Sequence, residues 1–527
     1  MIIQLLTKNA SIKAMNIDID ASLQHAARGG YSDAVVLLLA EGASIEAVDE
    51  NNNTALHLAV RNGHTSTVEL LLANGASVET TGQDTSTPLH MAAQHGHTAV
   101  VGVLLEKGAL VQAMDEWNNT ALHLAAQGGH TGTVGLLLCN RAPTKAANID
   151  NNTPLHLTAQ NGHTTIAELL LGRGTSIEAE NVDIETPLHL AAKGGHTRMA
   201  ELLLRRCAHI EAVNKDGNTP LHLAAWSGHM DTTRVLLAKG ASIQAMDKDA
   251  ETPLHLAARS GLTGLVKLLL EEGAPIDAIN KDSNSPLHLA AWSGRTDVAE
   301  LLLEKGSLIE STNMFNNTPL HYAALNGYTA IVELLLDRGA TIEAMNRDNK
   351  TPLHLAASLG YCSVVELLLD KCAFVQPPDY MNNTPLHLAA LEGHTDMVEL
   401  LLRRGAATEA KNHVQDTPLH SSAQSGHTGV VKVLLASGAR IRAINKDNHT
   451  PSDLAEKSGH TCIAKLLKEK ASKLVLNGSS AGNKPRAPYL NRSGSNGYIK
   501  SGGKLKRLEL GVGRERVREG NSKRWTW

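Results

Sequence analysis

Apolar and polar positions along this chain recur with a period of 33 residues, and each period carries two short apolar stripes separated by glycine. The string Thr-Pro-Leu-His, or a close variant, begins at Thr87, Thr153, Thr186, Thr219, Thr252, Ser285, Thr318, Thr351, Thr384 and Thr417. Thr54 and Thr120 open the same string with Ala in place of Pro, and weaker copies begin at Ala21 and Thr450. Every step is 33 residues, so 14 repeats follow one another without an insertion; they are numbered 1 to 14 from these starting points.

Within one unit the pattern predicts two helices and a polar connection. Thr351 suits a helix N-cap and Pro352 the first helical position. Leu353, Leu355, Ala356 and Ala357 supply a narrow apolar stripe, and Gly360 ends the helix; a glycine stands at this place in all 14 repeats. The second helix carries Val364-Val365-Glu366-Leu367-Leu368-Leu369 and is usually closed by a second glycine, as by Gly339 one repeat earlier. A hairpin-like stretch such as Asn346 to Lys350 leads to the next unit. Helices this short do not stand alone in water. Stacking buries their shared Leu and Ala faces, so neighbours supply the stability. The expected fold is an all-α repeat solenoid. Arg141, Cys207 and Cys372 occupy the closing glycine position, which predicts a left-handed backbone there at a cost of about 1 kcal/mol.

Composition sharpens this picture. Aromatic residues make up 3% of the 527, with only two Phe. Ordinary globular cores of this total size lean on large aromatic side chains, whereas thin helical layers do not. No run of about 18 apolar residues is present, and Met1 to Leu6 lacks the basic and apolar regions of a signal peptide. Cys139, Cys207, Cys362, Cys372 and Cys462 show no C-x-x-C spacing. They read as free thiols of a reducing compartment, which gives a cytoplasmic or nuclear location.

The repeated T-P-L-H-x-A-A unit closely resembles the 33-residue unit of the ankyrin-repeat family, over about residues 1–470. The resemblance implies an L-shaped helix–turn–helix–hairpin unit and a curved array. It also implies that the T-P-L-H histidine ties hairpin to helix backbone. Partners of such arrays contact the hairpin tips and the exposed end of the first helix, on the concave side.

The two ends depart from the array. Residues 4–16 match a second helix whose first helix is missing, so residues 1–17 read as an incomplete repeat, as in a piece of a longer chain. Residues 18–470 form the array, with repeat 14 as a degenerate polar cap. Residues 471–527 hold 13 Lys and Arg against 3 Glu, a net +10 beside −14 for the remainder; they read as a disordered basic tail. Nucleic acid is not expected as a partner except through this tail, where Lys504, Lys506, Arg507 and Arg514 interleave with Tyr498 and Trp525.

Catalytic chemistry finds no foothold. Of 26 His, twelve lie in the T-P-L-H or T-A-L-H strings and nine directly follow the first glycine, positions that packing explains. No H-E-x-x-H, P-loop or nucleophile elbow occurs. The expectation is no enzyme, no metal and no cofactor. The partner-facing positions carry the information instead. At the end of the first helix most repeats have polar residues, such as Gln94 or Lys193, but Trp226, Trp292, Leu325 and Leu391 are apolar. At the tips the departures are Trp117, Met314, Phe315, Tyr380 and Met381. Trp117 apart, these fall in repeats 7 to 12 and mark a protein-binding groove over residues 226–391. Acidic tip residues of the N-terminal half (Asp49, Glu50, Asp115, Glu116, Asp183, Glu185) suggest a basic partner segment. The function expected is a non-enzymatic scaffold or adaptor. The alternative is a regulatory or targeting subunit of phosphatase or ubiquitin-ligase type, or a fragment of a longer chain with an upstream enzymatic or nucleotide-binding domain.

Overall fold

The structure, a computed structural model, describes residues 18–478, with the side chains of Gln83 and of residues 474–478 outside that description. The half-repeat expected over residues 4–16 and the tail beyond residue 478 lie outside the described residues. The described chain is a helical repeat solenoid of 28 α-helices and one 3-10 turn, with no strand among the described residues. Repeat 6 shows the unit: Pro187–Lys193 and Thr197–Arg205 are antiparallel helices joined through Gly194 and Gly195. First helices stack on first helices of the neighbouring repeats, and second helices on second helices. Leu188, Ala191 and Ala192 from one helix and Met199, Ala200 and Leu203 from the other are fully buried between layers. Alanine at two successive positions lets first helices approach closely, which is why the core needs no aromatic ring.

The two glycine positions answer different demands. Gly162, after the first helix of repeat 5, has φ +74, and a Cβ there would lie 2.5 Å from His196 Nδ1 of the next repeat. The closing glycine of the same repeat, Gly174, also has positive φ, but a Cβ would meet nothing. The second position therefore asks only for a left-handed backbone, and Arg141, Cys207 and Cys372 adopt it with φ of 62°, 65° and 71°.

At the tips, an Asx residue normally accepts the N–H groups two and four residues on, as Asn181 Oδ1 does from Asp183 and Glu185. The tip leading from repeat 2 to repeat 3 has Gly82 in that place and turns through Asp84 and Thr85, both left-handed. The buried Asn53 Oδ1 and His57 Nε2 beside it have no hydrogen-bond partner. In repeat 14, Asp453 replaces the histidine and its carboxylate accepts from Thr450 N and Oγ1 at 2.8 Å, which holds it below the usual carboxylate range. The last helix runs from Thr461 to Gly478, well past the Lys470 expected from sequence. Lys465, Lys468, Glu469 and Lys470 face solvent, as a terminal layer requires. Ser452, which takes the place of the buried leucine of the other repeats, is buried as well and donates to Ala464 O.

Candidate functional site

Two rows of histidine set the frame on which the candidate site is built. His189 closes a capping box with Thr186: its Nδ1 accepts from Thr186 N at 3.1 Å and lies 2.9 Å from Thr186 Oγ1. Its other nitrogen donates to Asn218 O at the next tip, 3.0 Å away. The same box recurs from Thr54 to Thr417. Burial disfavours the charged ring, and His123, His156, His189, His255, His288 and His321 are lowered to about 4. The second row joins neighbours: His196 Nε2 donates to Gln160 O at the end of the preceding first helix, 2.8 Å away. Both rows are thus occupied in holding backbone, and no group of three His, Cys, Asp or Glu placed to hold a metal occurs among the described residues.

The frame presents the tips and first-helix ends as two parallel rows. Tips of successive repeats are joined by backbone bonds, such as Met314 N to Asp282 O, Arg347 N to Phe315 O and Tyr380 N to Asp348 O, all within 2.9 Å. Trp226 is 50% exposed and Trp292 45%, and Phe315, Met314, Met381 and Leu391 are exposed as expected. Tyr380 is the most open at 73%. Leu325 departs from expectation, being half-buried. These residues belong to repeats 7, 9, 10, 11 and 12, and only part of them is drawn together. Trp292 meets Tyr322 edge-on, with ring centroids 5.1 Å apart, and the Tyr322 hydroxyl lies 2.7 Å from Asn313 Nδ2, next to Met314. Burial pushes the Tyr322 phenol up. This Trp292–Tyr322–Asn313 link joins the helix row to the tip row in repeats 9 and 10. Sequence reasoning missed Tyr322, although His-Tyr-Ala replaces His-Leu-Ala there, and it missed the exposed Leu359.

Two expectations are corrected. Apolar tip residues are not confined to repeats 7 to 12, because Ile149, Val182 and Ile184 are exposed at earlier tips. What distinguishes the later half is aromatic bulk, not apolarity. The acidic tips, in turn, are partly spent on local structure. Asp115 is 5% exposed and accepts from Trp117 N and Asn119 N, while Glu185, 6% exposed, pairs with Lys193. Only Glu50, Glu116 and Asp183 of the six remain exposed, a thin array of charge for a basic segment.

Among the cysteines, Cys139, Cys207, Cys372 and Cys462 are exposed, and burial raises the half-buried Cys362 thiol. No described helix is long and apolar enough to cross a membrane.

Comparison with protein families gives a consistent result. A family model described as ankyrin repeats (3 copies) matches residues 23–115, 111–181, 176–247, 243–313, 320–412 and 386–477. A second, described as ankyrin repeats (many copies), matches residues 293–336. A search of curated proteins gives no match.

Proposed function

Because this chain belongs to the ankyrin-repeat family, whose arrays generally serve as protein–protein interaction modules, we propose that it is a non-enzymatic scaffold or adaptor in the cytoplasm or nucleus. It binds a protein partner on the concave side, along the tips and first-helix ends of repeats 7 to 12. The contact residues are Trp226, Trp292, Met314, Phe315, Leu325, Tyr380, Met381 and Leu391, to which Tyr322 is added. The observation that carries this reading is the Trp292–Tyr322 pair: in a chain with 3% aromatic residues, two large rings from successive repeats pack on each other at the surface. Rings held in this way lose little freedom on binding, and such residues commonly dominate interface energetics. The tip Asn313 to Asn317 carries no charge, so the partner surface that fits here is apolar.

The test is a capture experiment with the full chain and a variant carrying Trp226→Ala, Trp292→Ala, Phe315→Ala and Tyr380→Ala. The expected result is a partner held by the wild type and lost by the variant, whose helical signal and unfolding midpoint stay close to those of the wild type. Equal capture by both proteins would overturn the reading.

A further inference from the structure

Beyond the capping histidines, three kinds of side-chain tie recur along most of the joints between repeats. In the first, the residue after the first-helix glycine reaches back to the preceding first helix, as His196 does to Gln160 O. In the second, an acid or amide after the second helix accepts from the backbone N–H 31 residues on, as Glu178 does from His209 N at 2.8 Å. In the third, a tip Asn donates to the side chain ending the preceding tip, as Asn181 does to Asn152 Oδ1. The joint between repeats 5 and 6 has all three.

The joint between repeats 7 and 8 has none of these three, and the sequence dictates each loss. Leu262 stands where histidine would bond Trp226 O, which receives only Ser260 Oγ at 3.4 Å. Gln244 would need the N–H of residue 275, which is Pro275 and has none. Asp247 replaces the tip Asn, and its carboxylate has no N–H to donate. Among the described residues, every other joint keeps at least one tie. Joint 3/4 likewise has a proline, Pro143, and an aspartate, Asp115, but His130 bonds Gln94 O across it.

The buried side chains fall into three packed groups, and one boundary lies at this joint, the other lying between repeats 9 and 10. Leu236 and Ala241 of repeat 7 belong to one group and Leu254 and Leu265 of repeat 8 to the next, with Ala225 and Leu237 of repeat 7 the side chains that reach across. Thr233 stands where Ala200 and Val266 stand in the flanking repeats, and its buried hydroxyl has no partner. The tip edge, by contrast, stays joined: Lys248 N donates to Asp216 O and His222 Nε2 to Glu251 O, each at 3.0 Å, and Lys248 Nζ donates to Lys215 O. Gly217 supplies the left-handed tip residue there and lies close under Lys248 N. In a linear array, stability is the sum of repeat and joint terms, so one weak joint concentrates motion.

The geometry points to a hinge at the joint between repeats 7 and 8, pivoting on the tips at Gly217 and Lys248 and opening between helices Met230–Ala238 and Thr263–Glu271. These two helices lose support when the joint opens and fray, while the repeats beyond them move as stiff blocks.

Hydrogen exchange of the full chain at neutral pH tests this. Amides of Met230–Ala238 and Thr263–Glu271 are expected to exchange about tenfold or more faster than those of Thr164–Leu171 and Thr197–Arg205, since the three ties present at joint 5/6 are missing at joint 7/8. The triple variant Asp247→Asn, Leu262→His, Pro275→Ser is expected to bring the two joints to similar rates. Equal rates at both joints in the wild type overturn the hinge, as does a folded triple variant that exchanges no more slowly. If the triple variant does not fold, the converse decides: Asn181→Asp with His196→Leu raises exchange at joint 5/6 if the ties control opening, and leaves it unchanged if they do not.

Discussion

His189 is fully buried, yet it carries two polar nitrogens into a layer of Leu and Ala, and both are satisfied by backbone. Removing the ring strands a donor at Thr186 and an acceptor at Asn218. His189→Ala is therefore expected to destabilise the array by about 2–4 kcal/mol, read as a lower urea midpoint. The same burial makes stability depend on acid. The unfolded chain takes up protons near the ordinary histidine value of 6.5, while the folded rings at His156, His189 and His288 resist protonation down to about 4. Their contribution is fully present above 6.5 and is lost as pH falls through that window. Urea midpoints should be flat from pH 8 to 7 and drop steadily from 6.5 towards 4; a midpoint unchanged to pH 5 would contradict this account.

At the scale of the helix and turn, the two glycine rows separate backbone freedom from space. Gly162→Ala and Gly174→Ala each force a Cβ onto a left-handed residue, at about 1 kcal/mol. Only Gly162→Ala also drives a methyl into the His196 ring. Its loss of stability should be clearly larger, and Cys372→Gly should raise the midpoint slightly. Sequence made these elements legible because each answers a local rule: Thr and Pro start the first helix, glycine ends it, and 33 residues later the rule applies again. The Thr461–Gly478 helix was misjudged because its last turn has no glycine stop until Gly478, and charged residues continue a helix as readily as they end one. The acidic tips were misjudged for a related reason. Composition gives the charge at Asp115 and Glu185 but not its direction, and there the carboxylates point inward to backbone N–H groups and to Lys193. The candidate face was legible where a bulky side chain breaks a polar column, as at Trp226 and Trp292. It was not legible where an aromatic replaces Leu within an apolar column, as at Tyr322.

For the array as a whole, the proposed hinge lies within the proposed contact surface, with Trp226 before the weak joint and Trp292 beyond it. A partner that grips both rings spans the joint and should slow exchange of Thr263–Glu271, with little effect on Thr164–Leu171. Equal slowing along both helices would place that partner elsewhere. The buried histidines bear on measurement as well as on stability. In each capping box Nδ1 accepts and Nε2 carries the proton, so the rings are fixed in a single tautomer. The nitrogen resonances of these imidazoles should form a narrow family in NMR spectra, one signal per repeat from His57 to His420. His57, whose Nε2 faces the Gly82 turn and makes no well-formed hydrogen bond there, should stand apart from the rest. A chain of near-identical repeats, ordinarily the hardest kind to resolve by spectroscopy, thus carries its own position markers.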